Sequence, residues 1–339
     1  VVDAVPELAA NEDETTQYGL IHALILDGKG RARPIDYAQL EALQLGDEES
    51  VWLHWHRHHP QSQAWLRNDS GLSDFACDLL LEENTRPRLL PLPGDELLVF
   101  LRGVNLNPGA EPEDMVSLRI FADSRRVISL RLRSLRSTDE LLQQWAEGRG
   151  PKGPSEVILH LADALTEKVD QLIESLSEEA DAMEESTAAG ESYTEQGRVL
   201  LLRRRAASLR RFLSPQREIF TQLARNHLPW FANDDGDYWN ELSNRLVRHL
   251  EELELIRERG HLIIESEQRR MSERMNRTMY LLAIITCFFL PMTFLTGLLG
   301  INVGGIPGAD SRYGFVGACA LMAVIGVSQW WIFRRLRWL

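Results

Sequence analysis

Short apolar runs separated by turn residues occupy the first third of the chain: Gly19 to Leu26, Val51 to Trp55, Glu96 to Val104, Val116 to Phe121 and Val127 to Leu132. Runs of this length bounded by turn formers read as strands. Helical patterns lie between them at Asp36 to Leu45, Ser62 to Leu66 and Ser73 to Leu81, so an α/β or α+β domain is expected. The last two strands, separated by Ala122-Asp123-Ser124-Arg125-Arg126, are expected to pair as a hairpin.

The pattern then turns helical and charged. From Asp163 to Glu195 there are eleven carboxylates and one lysine, and from Arg198 to Arg211 six arginines and no acid. An antiparallel helix pair turning between Gly190 and Gly197 would set these opposite charges side by side. Such a pair is either a solvated face or an acidic tip that attracts cations, with the arginines near lipid headgroups. Beyond Pro229 and the turn Asn233-Asp234-Asp235-Gly236, Leu242, Leu246, Leu250, Leu253 and Ile256 step by three and four. With Asp234 or Asp235 as N-cap, one helix is predicted from near Tyr238 to Leu299, roughly 90 Å of stalk. A helix of this length needs partners, and copies of itself are the expected ones.

Met279 to Gly300 (MYLLAIITCFFLPMTFLTGLLG) and Tyr313 to Phe333 (YGFVGACALMAVIGVSQWWIF) carry no charge. Each run is long enough as a helix to cross the roughly 30 Å hydrocarbon core. Trp330 and Trp331 suit an interfacial belt. Arg269, Arg270, Arg274 and Arg277 precede the first span and Arg334, Arg335 and Arg337 follow the second, whereas the Gly-rich loop between them carries only Asp310 and Arg312. The positive-inside rule then puts both termini in the cytoplasm of a two-span membrane protein.

The whole chain of 339 residues is acidic, with 37 Lys+Arg against 50 Asp+Glu and a formal net charge of −13. Nucleic acid is not an expected partner. Cys77, Cys287 and Cys319 are too few and too irregularly spaced for a disulfide framework or a structural zinc site, which fits a reducing compartment. The first residues, Val1-Val2-Asp3, lack the features of a cleaved signal peptide, and the missing initiator Met points to a trimmed start. No nucleotide-binding, nucleophile or paired-acid motif is present, so an enzyme is not expected.

On the helix that carries the first span one stripe differs from the rest: Asn276, Met279, Leu282, Thr286, Leu290, Thr293 and Gly297 recur at a mean step of 3.5 and, extended outward, lead to Asn302. Asn, Thr and Gly on one face of an apolar helix either pack against another helix or line a wet path. Neither span holds an acidic, basic or histidine side chain. Zinc stripped of water would need Cys, His or carboxylate ligands, and Cys287 falls one residue off the stripe. An ion using this path therefore keeps much of its water, and modest selectivity among divalents is expected. Met279, Leu282 and Leu290 could gate by dewetting. Glu265 continues the stripe through Arg269 and Ser272 and is a candidate metal residue at its cytoplasmic end, or a solvated stalk residue. His54, His56, His58 and His59 invite a zinc-site reading, but no Cys or carboxylate completes a tetrahedral set, so a strand and its turn is the preferred reading.

A charged body, two C-terminal spans, a Gly-x-Asn end to the first span (Gly300-Ile301-Asn302) and a basic tail closing on Arg337-Trp338-Leu339 resemble the CorA superfamily of divalent-cation transporters. That family usually has Gly-Met-Asn. Ile301 in place of Met, the following Val303-Gly304-Gly305-Ile306-Pro307-Gly308 and the upstream Leu101-Arg102-Gly103-Val104-Asn105-Leu106-Asn107-Pro108-Gly109 resemble its ZntB zinc-transporter branch.

The resemblance implies a CorA-like homopentamer in a bacterial inner membrane. Each chain would comprise a cytoplasmic αβα domain (1–150), a charged helical hairpin (151–232), the cytoplasmic part of a stalk helix (233–278), a first span (279–300), a periplasmic loop (301–312), a second span (313–333) and a basic tail (334–339). It assigns the stripe to a central pore and Gly300, Ile301 and Asn302 to the selectivity motif, Asn302 facing a hydrated ion. It also implies uptake of Zn2+, with Cd2+, Ni2+ and Co2+ as further substrates, by symport with protons and with no resident cofactor. Lacking an intramembrane acid, coupling would have to use groups such as Glu265, His261 or Asp310. A passive Mg2+, Zn2+ or Ni2+ channel, a zinc efflux pathway, and a membrane-anchored signalling or scaffold protein are the alternatives.

Overall fold

Along Glu96–Gly103, Leu97, Val99 and Leu101 enter one apolar cluster while Leu98 and Phe100 enter another. That is the period-two signature of a strand buried on both faces. The computed structural model describes residues 18–83, 85–189, 196–226, 228–301 and 311–335. It contains strands Leu20–Leu26 (β1), Ala32–Pro34 (β2), Ser50–His56 (β3), Arg88–Leu92 (β4), Glu96–Gly103 (β5), Val116–Ala122 (β6) and Arg126–Arg131 (β7). They form one sheet in the order β2-β1-β3-β7-β6-β5-β4. Every neighbouring pair is antiparallel except β3 and β7.

One face of the sheet is covered by Tyr37–Glu41 (α1), Pro60–Asn68 (α2) and Asp74–Leu81 (α3) through Leu40, Trp65, Leu66, Ala76 and Leu80. The other is covered by Arg136–Ala146 (α4), Pro154–Ala189 (α5), Gln196–Ala224 (α6) and the first half of Asp235–Leu299 (α7). The result is the expected α/β body in three layers, αβα. Gly314–Arg335 (α8) is the last helix. Local signals place the smaller helices. Asp36 accepts from the Gln39 amide at 2.7 Å while Gln39 Oε1 accepts from the Asp36 amide at 3.0 Å, a reciprocal cap that starts α1. Ser73 caps α3.

All five expected strands form, with β6 and β7 as a hairpin. The two strands absent from the sequence reading, β2 and β4, are edge strands containing Pro34 and Pro91. Their half-exposed residues give no alternation to detect. Helix α1 ends at Glu41 although the pattern predicted Leu45, because Leu43 and Leu45 both pack into the same cluster, a two-residue spacing that an extended chain satisfies.

Charge pairing in the helical layer differs from the expected two-helix arrangement. Glu179 of α5 pairs with Arg205 of α6 at 3.0 Å, but Asp163 and Asp170 of α5 pair with Arg245 of α7 at 2.6 and 2.5 Å, and Asp181 pairs with Arg259 of α7. Arg210 of α6 likewise pairs with Glu254 of α7. The first half of α7 is thus the third helix of a bundle, anchored by Trp239, Leu242, Leu246, Leu253, Ile256 and Ile263 in the core. The chain divides into two compact units at Ile264 and Glu265, inside the segment expected to be stalk, and each unit is described by itself below.

Candidate ion pathway

The spans belong to the second unit. Helices α7 and α8 are both long and apolar enough to cross a membrane, and no part of either apolar window is buried. Between Leu281 and Gly300 the less exposed residues are Ile284, Phe288, Pro291, Met292 and Leu295. A Cβ at Gly326 of α8 would meet Met292 Cε at 2.8 Å and Phe288 Cζ at 4.0 Å, so Gly326 permits the close approach of α8 to that face. Asn276, Met279, Leu282, Thr286, Leu290, Thr293 and Gly297 are all exposed. On a wheel of about 100° per residue their mean direction lies roughly opposite the face that α8 covers. The stripe is therefore not packing for the second span.

Its hydroxyls are oriented by the backbone. Thr286 Oγ1 donates to the Leu282 carbonyl at 2.8 Å and Thr293 Oγ1 to the Phe289 carbonyl at 2.9 Å. A hydroxyl whose proton is so engaged keeps its oxygen lone pairs for an outside donor or cation.

Pro291 lies inside α7, and a proline interrupts the i to i−4 ladder by leaving the fourth preceding carbonyl without an amide donor. That carbonyl belongs to Cys287, and Gln329 Nε2 of α8 donates to it at 3.2 Å. A side chain from the neighbouring helix thus replaces the missing amide, one of the ways membrane helices tolerate proline. Sequence reasoning missed this role of Gln329. The available signal was a proline in one apolar span and an amide side chain in the other.

At the far end of α8, Arg334 lies over the Trp330 ring and Arg335 over Trp331, each at 5.3 Å. These pairs combine an interfacial aromatic with a cation. Gly300 donates its amide to the Thr296 carbonyl at 3.0 Å, and Ile301 is exposed. Asn302, Asp310 and the tail from residue 336 lie outside the described residues, as does the turn over 190–195. Glu265 is exposed and pairs with Arg269 one turn on, at 3.0 Å, and His261 is exposed.

The histidine run is structural in its contacts. His54 is fully buried with Nδ1 bonded to Ser129 Oγ at 2.7 Å, and its ring stacks on His22. His59 caps α2, and His58 Nε2 lies 3.0 Å from an Arg57 nitrogen. Among the described residues no group of three His, Cys, Asp or Glu could hold a metal ion.

Burial, with Arg131 nearby, pushes His22 down to about 4 and His54 well below its ordinary value of 6.5. Both are neutral when folded, whereas the unfolded chain protonates them near 6.5. Their contribution to stability is complete above that pH and falls away below it, for His22 down to about 4. His22 alone is expected to contribute on the order of 3 kcal/mol. Thermal melting between about pH 7.5 and about pH 4 checks this, with a flatter pH dependence expected for His22→Gln.

The family model described as CorA-like Mg2+ transporter protein matches residues 47–335. The divalent cation transporter CmaX of Pseudomonas aeruginosa is 62% identical over 322 residues, covering 95% of this chain and 97% of that protein. A structure of full-length CmaX aligns with a TM-score of 0.84 at 60% identity, over 95% of this chain and 98% of that one. The zinc transport protein ZntB of Pectobacterium carotovorum subsp. carotovorum is 34% identical over 96% of this chain and 98% of its own. The complete CorA magnesium transporter of Methanocaldococcus jannaschii shares the fold, with a TM-score of 0.79 at 20% identity over 94% of this chain and 98% of that one. With an αβα body, a helix that continues into the first of two apolar C-terminal helices, and a matching family model over most of its length, the chain belongs to the CorA-like family of ion transporters.

Proposed function

We propose that the chain is a zinc transporter of the bacterial inner membrane that assembles as a homopentamer and takes up Zn2+ in symport with protons. The observation that carries the pathway is the exposed stripe from Asn276 to Gly297 on the face of α7 that α8 leaves uncovered. Two helices cannot enclose a path, so an exposed Thr- and Asn-bearing face in a membrane calls for copies of itself around an axis. Five stripes would then surround the ion, with Thr286 and Thr293 offering oxygen lone pairs and Leu282, Leu290 and Met279 forming narrow apolar rings. The ion crosses largely hydrated, because neither span offers a carboxylate or imidazole to replace its water. The 34% identity to a zinc transport protein and Ile301 after Gly300 support zinc as the substrate. Both termini lie in the cytoplasm on this reading, the arginines at the ends of the spans facing inward.

A passive divalent-cation channel is the second reading, favoured by the absence of any intramembrane acid or histidine, which symporters ordinarily use. Proteoliposomes separate the two. With membrane potential clamped at zero and zinc equal on both sides, an inward proton gradient is expected to accumulate zinc. Zinc that equilibrates without accumulating would overturn symport and leave the divalent-cation pathway standing.

A further inference from the structure

Five arginines from separate elements line one cavity of about 450 Å³ in the first unit: Arg57 after β3, Arg102 on β5, Arg119 on β6, Arg133 after β7 and Arg211 on α6. Two carboxylates, Glu83 and Asp114, share the lining, yet among the described residues none of the five guanidinium groups forms a salt bridge. Three of them, Arg57, Arg102 and Arg119, are held by backbone carbonyls, Arg57 also meets His58 Nε2 at 3.0 Å, and Arg102 and Arg211 lie over the Phe212 ring. Arg57 Nη1 donates to the carbonyls of Glu82 at 2.8 Å and Glu83 at 3.2 Å, Arg119 Nη1 to Leu80 at 2.6 Å, and Arg102 Nη1 to Met115 at 2.9 Å and Nη2 to Thr85.

Carbonyl dipoles orient a guanidinium without cancelling its charge, and buried charges are ordinarily paired. Here Arg119 is 1% exposed and Arg57 5%. Burial and the positive neighbours Arg57 and Arg102 push Arg119 down to about 9, and burial lowers Arg57 and Arg102 as well. Arg57 also leaves its buried Nε without a partner. Such a cluster is electrostatically incomplete: it has donors and positive charge to spare, and it encloses a space of the size that small ligands occupy. The hydroxyls of Ser117 and Ser208 complete the polar lining. Planar forks converging from several directions, with hydroxyls between them, match the tetrahedral oxygens of a phosphoryl group better than a spherical halide.

We propose that this cavity is a binding site for a small phosphoryl anion carrying two or more negative charges. The site lies wholly in the first unit, among residues of the sheet, its following turns and α6. Bound anion would hold Leu80, Glu83 and Thr85, whose carbonyls the arginines engage, to β6 and α6 by neutralising the charges that now repel one another.

Titration of the purified full-length protein with pyrophosphate, in metal-free buffer and against sodium chloride at equal ionic strength, tests the site. Saturable binding and a rise in melting temperature are expected with pyrophosphate and neither with chloride. The exposed lining residues Arg133 and Arg211 can be changed with the fold preserved. Arg133→Gln combined with Arg211→Gln is expected to weaken pyrophosphate binding by about tenfold or more, with an unchanged melting temperature in the absence of the anion. Equal stabilisation by chloride, or undiminished affinity in the double variant, would overturn the proposal and leave the arginines as backbone braces only.

Discussion

Replacing Asn302 by Ala is expected to lower zinc flux by roughly tenfold or more, equivalent to about 1.4 kcal/mol or more on the limiting barrier, while leaving the oligomer intact. The stripe that the second helix leaves uncovered runs along α7 toward Gly300 and Ile301, and Asn302 is the next side chain in the sequence. In a symmetric assembly the change removes one amide oxygen per subunit at once, and neither span holds a charged group to take over its work. Amide dipoles attract a hydrated cation without stripping it, so their loss raises the cost of entry for every divalent ion rather than for zinc alone. Assembly should survive because association of the helices rests on packing along their length. Zinc uptake into proteoliposomes, paired with mass measurement in detergent, checks both halves. Normal uptake by an intact oligomer would remove Asn302 from the path, and a chain that is monomeric before any substitution would remove the pore itself.

What the sequence made legible follows from where the physics is local. The strands of the sheet interior announced themselves because Leu97 to Leu101 and Val116 to Phe121 are buried on both sides. The edge strands did not, since Pro34 and Pro91 sit in half-exposed runs. The spans were plain because hydrocarbon excludes charge over a fixed length. The polar stripe was legible as a period, but its direction was not, since a period alone cannot say which face the other span takes. Gly326 against Phe288 and Met292 supplies that answer. The acidic and basic blocks were legible only in part, for a related reason. Opposite charge in adjacent segments suggested that α5 and α6 pair with each other, and Glu179 does meet Arg205, but Arg245 and Arg259 of the more distant α7 take Asp163, Asp170 and Asp181. The arginine cavity was invisible because its members are spread from residue 57 to residue 211 and only the fold gathers them.

The second large effect concerns the bond between the two spans. Gln329→Leu is expected to destabilise the membrane unit by about 1–2 kcal/mol, the range for an interhelical hydrogen bond in lipid. It deletes the donor to the Cys287 carbonyl and leaves that oxygen facing hydrocarbon, where an unpaired backbone group is costly. The cause is specific, so it has a specific cure. Pro291→Ala restores an amide at the position that should bond Cys287, and the helix then supplies the donor that Gln329 otherwise lends. In a Pro291→Ala background Gln329→Leu should therefore cost little, and the double-mutant cycle should give a coupling energy close to the whole effect of the single change. Thermal unfolding in detergent of the parent, the two single variants and the double variant measures it. Additive losses would mean that Gln329 acts by packing and that the proline's freed carbonyl is satisfied in some other way. A large coupling would show that the carbonyl freed by Pro291 is satisfied from the second span, and would make Gln329 the residue through which movement of one helix is felt by the other.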